Sequence, residues 1–541
     1  MLDLIKSITK KEWKFWIKVL IAVLILTSVA RIFILIWMPE GYVPRGNNIH
    51  SMTDRYVYVS YVEQAREGAY LFEDLYTAKE ESVPMLNIFW LGAGLFARFT
   101  GLSGNAALDI LRILLIPFLL LAVYLLLVYF IKDIWQRKLS FLIASLGGGL
   151  GLVFLPILWL LEDFFPPQGT IRNLPIDIDA PGAFIFMTSY YSVHFIFSTF
   201  LFASIILLSL LAIQKKKLSY VIPAGLMSAI LLNFHPWTFI SIFFVFFIYL
   251  IFLLWKNREA AFFLLRYALI LGLFILPSAL YHLYMFYTPW WQNQTWNSTT
   301  STPFIISILG GYGLILIFAL YSLWQNYKQR LKIKDEAFLL IWLIGHFSLL
   351  FLPVSVQGRF LEGYWLVLVI LGSYTLSGWL KKRQWIIKDK LYSVLLFIVC
   401  FGLSYVLVIF LDLRNVYFQG NLVYIKKDSV VAMKELKKIA GKDDLVLADI
   451  YNSSLIPGIA LRRVFAGHAV ETINFKEKYE ILKRFMISTD PEEREAILQN
   501  NKIKYFFYDN SYKEYWAWKP DEEKYLKKVY ELNDFRIYKV L

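Results

Sequence analysis

FWIKVLIAVLILTSVARIFILIWM, residues 15–38, decides the fold class. Twenty-four residues at 1.5 Å each make a helix of about 36 Å. The hydrocarbon core of a bilayer is about 30 Å thick, so this run is long enough to cross it. It is longer than the apolar region of a secretory signal, and no small-residue cleavage site follows it. It therefore reads as a span. Similar runs recur along the chain, and 58% of its 541 residues are hydrophobic. Mean hydropathy is +0.54. A soluble globular chain is about 45–50% apolar, so a one-core soluble enzyme is excluded.

Spans are expected near 15–38, 106–131, 140–161, 189–213, 219–234, 236–255, 260–285, 304–325, 337–354, 362–380 and 391–411. The formal charge is +14. The lysines and arginines gather at alternate ends of the apolar runs, so they read as topology signals and not as a nucleic-acid surface. One set comprises Lys6, Lys10, Lys11 and Lys14; then Lys132, Arg137 and Lys138; then Lys215, Lys216 and Lys217. It continues with Lys256 and Arg258; Lys328, Arg330, Lys332 and Lys334; and Lys381, Lys382, Arg383, Lys388 and Lys390. The loop 286–303 between two of these sets has no such charge. The positive-inside bias then gives about eleven spans, a cytoplasmic N-terminus and an extracytoplasmic C-terminus in a multi-pass cell-membrane protein. The short apolar stretch 85–100 would reverse that assignment if it crossed. It is expected to lie in the outer interface instead.

Two regions stand out from the bundle. The first outer loop, about 39–105, is acidic, and within it Tyr58, Val59, Tyr61, Val62 and Ala65 recur at helical spacing up to Gly68. After Leu411 the composition changes. Residues 429–439 read as an amphipathic helix, 444–450 and 504–509 as strands, and VYEL with FRIYKV as a terminal hairpin. Helical patterns cover about 475–487 and 490–500. The expected division is a transmembrane domain over 1–411 and an extracytoplasmic α/β domain over 412–541. The single Cys400 lies in an apolar run, so no disulfide framework or cysteine metal site is present.

Ionisable residues at the outer mouth are the ones to weigh in a membrane protein. Asp54 precedes the aromatic, amphipathic part of the first loop, where a carboxylate can take a proton from a hydroxyl or an amine. In VSVQGRFLEGYW (354–365), Arg359 either pairs with Glu362 or grips a phosphate. His194 in TSYYSVHF and His235 in NFHPW stand at outer ends of expected spans, placed for a phosphate or hydroxyl site. In PIDIDAP, Asp177 and Asp179 offer oxygen ligands to a divalent metal ion. In RRVFAGHAVET (462–472), His468 and Glu471 lie on a turn of the C-terminal domain, either facing solvent or folded onto the mouth. GGGLG (147–151) falls inside an expected span, where small residues allow close packing. There is no Walker A motif, dinucleotide loop or histidine zinc signature.

In their order these segments (Asp54 with SYVEQAREGAYLFEDLYT, then HPW, LPVSVQGRFLEGYW and RRVFAGHAVET) resemble the GT-C superfamily of membrane glycosyltransferases. That group includes protein O-mannosyltransferases, aminoarabinose transferases and oligosaccharyltransferase catalytic subunits. The resemblance implies transfer of a sugar from a polyprenyl-phosphate carrier to a lipid, glycan or protein acceptor on the outer face. It maps the base to Asp54 and the carrier-phosphate ligand to Arg359. Asp54 is followed by Arg55, so the paired acids usual in that loop are absent and the use of a metal is left open. The competing readings are a transporter or lipid flippase, and an inactive scaffold or sensor of the same fold. A transporter predicts internal repeats and mid-membrane charges, and the sequence has no fixed-period repeat.

Overall fold

The computed structural model describes residues 2–46, 54–161, 174–297, 300–328, 333–383, 390–418, 423–515 and 517–541. Arg330, Lys332 and Lys388, used above for topology, lie outside the described residues. Eight described helices are long and apolar enough to cross a membrane: Lys10–Ile36, Gly104–Phe130, Val193–Lys215, Pro236–Lys256, Arg258–Phe286, Ile305–Tyr327, Gln357–Lys382 and Ser393–Tyr417. Each coincides with an expected span. The expected spans at 219–234 and 337–354 are shorter apolar helices, Leu218–Phe234 and Glu336–Phe351. The stretch 85–100 forms the short helix Ile88–Thr100. The chain is a multi-pass membrane protein.

The expected span 140–161 is broken. Helices Ile134–Leu146 and Gly151–Leu161 meet at 43° across Gly147–Leu150. Backbone freed inside a membrane needs partners from the protein itself, and each exposed N–H here finds one. Gly148 donates to Phe401 O (2.6 Å) and Leu150 to Gly310 O (2.8 Å). Gly149 and Gly151 both donate to Asp177 Oδ2 at 3.1 Å. A Cβ on Gly149 would stand 1.9 Å from Gly311 O, so the close packing expected of GGGLG is real. It comes with a break that hydropathy does not show.

By internal contacts the chain forms two units. One comprises Met1–Ile32, Ile110–Tyr281 and Thr300–Arg414; the other Phe33–Asp109, His282–Thr299 and Asn415–Leu541. The second holds all the strands found among the described residues. β1 (Tyr42–Pro44) and β2 (Tyr424–Lys426) form an antiparallel ribbon. The remaining five are β3 (Leu445–Leu447), β4 (Arg463–Val464), β5 (Ile503–Asp509), β6 (Leu526–Leu532) and β7 (Phe535–Val540). Their order is β4-β3-β5-β7-β6, parallel across β4-β3-β5 and antiparallel beyond. Helices Lys427–Ile439, Phe475–Ile487 and Pro491–Asn500 match the expected ones, and β6–β7 is the expected hairpin, turning at Asn533 with φ +50°. The reading of 444–450 as one strand is shortened. Asp449 caps a helix, Ile450–Ile459, by accepting from Asn452 N–H at 3.0 Å.

Candidate functional site

In the second unit, Asp54 is the first residue of helix Asp54–Arg66. A helix N-terminus is a favourable place for a carboxylate. The apolar face expected from the tyrosine–valine spacing is buried within the protein. Val59, Tyr61, Val62 and Ala65 are buried, and Tyr58 stacks on Trp90 at 4.7 Å. Two glycines let partner helices come close. A Cβ on Gly94 would lie 2.2 Å from Ala65 Cβ, and one on Gly458 would lie 2.7 Å from Tyr56 Cδ1. Arg55 is committed to the same packing: it donates to Asn105 Oδ1 (2.8 Å) and pairs with Asp109 (3.1 Å).

The 462–472 turn brings His468 to Asp54, with Nε2 3.1 Å from Oδ1. The imidazole is 5% exposed and the carboxylate 41% exposed, so a buried ring holds an accessible acid. The turn is fixed by Thr472. Its hydroxyl accepts from the N–H of Gly467 (3.2 Å) and His468 (3.3 Å) and donates to Tyr76 O (2.9 Å). His468 Nδ1 accepts from the N–H of Val470 (3.3 Å) and Glu471 (3.2 Å). The proton of the neutral ring therefore sits on Nε2 and points at Asp54. Burial pulls the His468 pKa down, but the hydrogen bond and charge of Asp54, with the charge of Glu471, outweigh it and leave the value raised. Glu471 accepts from Tyr61 Oη at 3.4 Å. Behind it, burial and the charge of Glu471 hold the Asp74 carboxyl well above the usual range.

In the first unit, His194, His235 and Glu362 come together from three helix ends. His194 is the second residue of helix Val193–Lys215, and His235 separates helices Val221–Phe234 and Pro236–Lys256. Glu362 precedes helix Tyr364–Lys382. Between them Gly363 has φ +83°, and a Cβ there would also lie 2.4 Å from the Phe202 ring, so only glycine serves. The two imidazole centroids are 6.1 Å apart. The buried Glu362 carboxylate accepts from the hydroxyls of Ser198, Thr199 (3.2 Å) and Thr238 (2.7 Å). Thr238 gives its one proton to Glu362, so the 2.7 Å contact from His235 Nδ1 to its oxygen is donated by the ring. His235 Nδ1 is also 3.3 Å from Glu362 Oε2. His194 Nδ1 meets Ser192 Oγ at 3.0 Å. Arg359, in the turn Gln357–Leu361, lies near enough for its charge to act on both His235 and Glu362.

Asp177 and Asp179 share the short helix Ile176–Asp179. Asp177 turns one oxygen to the broken-helix backbone, and among the described residues no group of three His, Cys, Asp or Glu is placed to hold a metal ion. Sequence reasoning passed over Thr472, Tyr76, Ser198, Thr199 and Thr238. The hydroxyl run in an otherwise apolar span was the available signal for Ser198 and Thr199.

No protein-family model matches the chain, and no curated protein matches its sequence. Solved structures do match it. The Archaeoglobus fulgidus oligosaccharyltransferase in its apo form aligns with a TM-score of 0.57 at 13% identity, over 93% of this chain and 70% of that one. The archaeal oligosaccharyltransferase AglB from Archaeoglobus fulgidus, in complex with an inhibitory peptide and a dolichol-phosphate, gives 0.52 at 13% identity over 98% and 74%. Arabinofuranosyltransferase AftD from Mycobacteria gives 0.51 at 12% identity over 98% of this chain and 42% of that one. At such identities the likeness is one of fold. The chain has the GT-C-like fold of these membrane glycosyltransferases.

Proposed function

We propose that the chain is a membrane glycosyltransferase that moves a sugar from a polyprenyl-phosphate carrier to a lipid, glycan or protein acceptor on the outer face of the membrane. The observation that carries the reading is the accessible Asp54 carboxylate, gripped by a buried imidazole, in a GT-C-like fold. A solved neighbour that binds a dolichol-phosphate supports the carrier class. The physics agrees: a polyprenyl chain stays in the bilayer at about 0.8 kcal/mol per buried CH2, which keeps its sugar at headgroup depth.

In this reading the acceptor hydroxyl or amine attacks the anomeric carbon and gives its proton to Asp54. The bond from that carbon to the phosphate oxygen breaks, and the carrier leaves as polyprenyl phosphate. Arg359 stabilises the phosphate with parallel N–H donors. His235 and His194 serve the same group, with His235 set by Thr238 and Glu362. His468 and Glu471 are accessory to Asp54. A divalent-cation requirement, if the reaction has one, is assigned to Asp177 and Asp179.

The test is to incubate purified protein with a panel of polyprenyl-phosphate sugars and an acceptor extract, and to read release of the carrier phosphate. Release with at least one donor, dependent on acceptor, supports the reading. A panel that yields none argues for the scaffold alternative. The proposed orientation is checked by a reporter fused after Leu541, which should register as extracytoplasmic.

A further inference from the structure

A cavity of about 210 Å3 lies in the second unit, lined by Tyr42, Tyr451, Phe535, Lys426, Asp509 and Ser511 with Tyr424 and Ser429, and by neither Asp54 nor His468. Its place in the sheet is informative. From β3 the chain passes through helix Ile450–Ile459 to β4 on one side, then returns through two helices to β5 on the other. Open sheets bind ligands in the crevice outside the carboxyl ends of parallel strands where the connection changes direction. Asp509 is the last residue of β5, and Tyr451 stands in the first turn of the helix after β3.

The lining is aromatic with a few fixed polar groups, the pattern of a small-molecule site. Asp509 is buried, and one of its oxygens takes the N–H (2.9 Å) and hydroxyl (2.5 Å) of Ser511. Its other oxygen takes Asn452 Nδ2 at 3.3 Å, and that amide also donates to Asp449 at 2.7 Å. Lys426 meets Ser511 Oγ at 2.8 Å and Asp534 at 3.1 Å. Arg45 lies over the Tyr451 ring at 5.0 Å, and the Tyr451 hydroxyl donates to Tyr424 O at 3.3 Å. The charges decide the ligand class. An anion would face Asp509, and a cation would face Lys426. A neutral ring carrying hydroxyls on its edge and C–H groups on its face suits both the mixed donors and acceptors and the tyrosine faces.

We propose that this cavity is a glycan-binding subsite that holds one neutral pyranose or furanose ring against Tyr42 and Tyr451. The choice of a sugar over another neutral polyol rests on the activity proposed above. The subsite itself needs no turnover.

The test is saturation-transfer NMR on the purified full-length chain, with methyl glycosides of neutral hexoses and pentoses as probes. The parent should show contact to ring-face protons for at least one probe. Tyr451→Ala and, from an exposed position, Ser511→Trp should each weaken binding about tenfold or more, while Asp54→Asn binds as the parent does. Absence of contact for every probe, or contact undiminished in both cavity variants, overturns the subsite. Loss of contact in Asp54→Asn would place the sugar elsewhere and overturn it too. Binding that responds to the cavity variants in a chain that turns over no donor would keep the subsite and fail the transferase reading.

Discussion

His468 Nε2 lies 3.1 Å from Asp54 Oδ1, joining two residues 414 apart in sequence. Two backbone N–H groups face its other nitrogen, so the neutral ring presents a proton to the carboxylate. Protonation adds a charge that ties up Asp54 as an ion pair and weakens it as a proton acceptor. Because Asp54 and Glu471 raise the His468 pKa, the charged ring persists above the usual value of about 6.5. Turnover should therefore fall as pH drops through that raised value. The stability contribution has the opposite sense: it is complete below about pH 6.5 and is lost as pH rises through the folded value. His468→Gln keeps a donor near Nε2 but cannot charge. Its pH–rate profile should lose the acidic limb at that value. An unchanged limb would remove His468 from the control of Asp54.

Arg359 separates two readings of its turn. Arg359→Ala should lower donor affinity about 10–100-fold, the worth of a charge-assisted hydrogen bond, and Arg359→Lys should fall between it and the parent because it keeps charge without the fork. Donor affinity and thermal unfolding measured side by side check this. Normal affinity with earlier unfolding in Arg359→Ala would make the residue structural.

Asp177 has a test of its own. Asp177→Ala removes the acceptor of the Gly149 and Gly151 N–H groups, so it should cost about 1–3 kcal/mol of stability. If its carboxylate serves only that backbone, the response of transfer to chelator and divalent cation will match the parent. A changed cation response would assign Asp177 to a metal.

Helix Ile88–Thr100 offers an internal control on packing. A Cβ at Gly92 meets nothing within 4 Å, whereas one at Gly94 would overlap Ala65 and approach Val62 O at 2.7 Å. Gly92→Ala should stabilise by about 0.5–1 kcal/mol. Gly94→Ala should destabilise by about 1–3 kcal/mol through overpacking. Equal thermal shifts in the two variants would contradict the helix contact.

Much of this architecture was legible because hydropathy and period survive in a single chain. The eight long helices, the helices Phe475–Ile487 and Pro491–Asn500 and the β6–β7 hairpin all fall where pattern puts them. The break at Gly147–Leu150 was not legible, since apolar residues continue through it and its hydrogen-bond partners are Phe401, Gly310 and Asp177, all distant in sequence. β1 and β2 are three residues each and 382 apart at Tyr42 and Tyr424, so neither carries a period of its own. Asp54 and His468 were each singled out for chemistry, but their pairing is a tertiary fact. The same holds for Glu362, one of two partners weighed for Arg359: its carboxylate takes three hydroxyls and His235.

The central claim is that Asp54 accepts the proton during sugar transfer from a polyprenyl-phosphate donor. The most direct measurement is single-turnover release of carrier phosphate by reconstituted parent and Asp54→Asn, with donor saturating and thermal unfolding recorded for both. Asn keeps the size of the side chain and removes its basicity. The predicted result is a rate lower by about 10²–10⁴ at unchanged stability. Release by Asp54→Asn within about twofold of the parent would contradict the claim and pass the role of base to another residue.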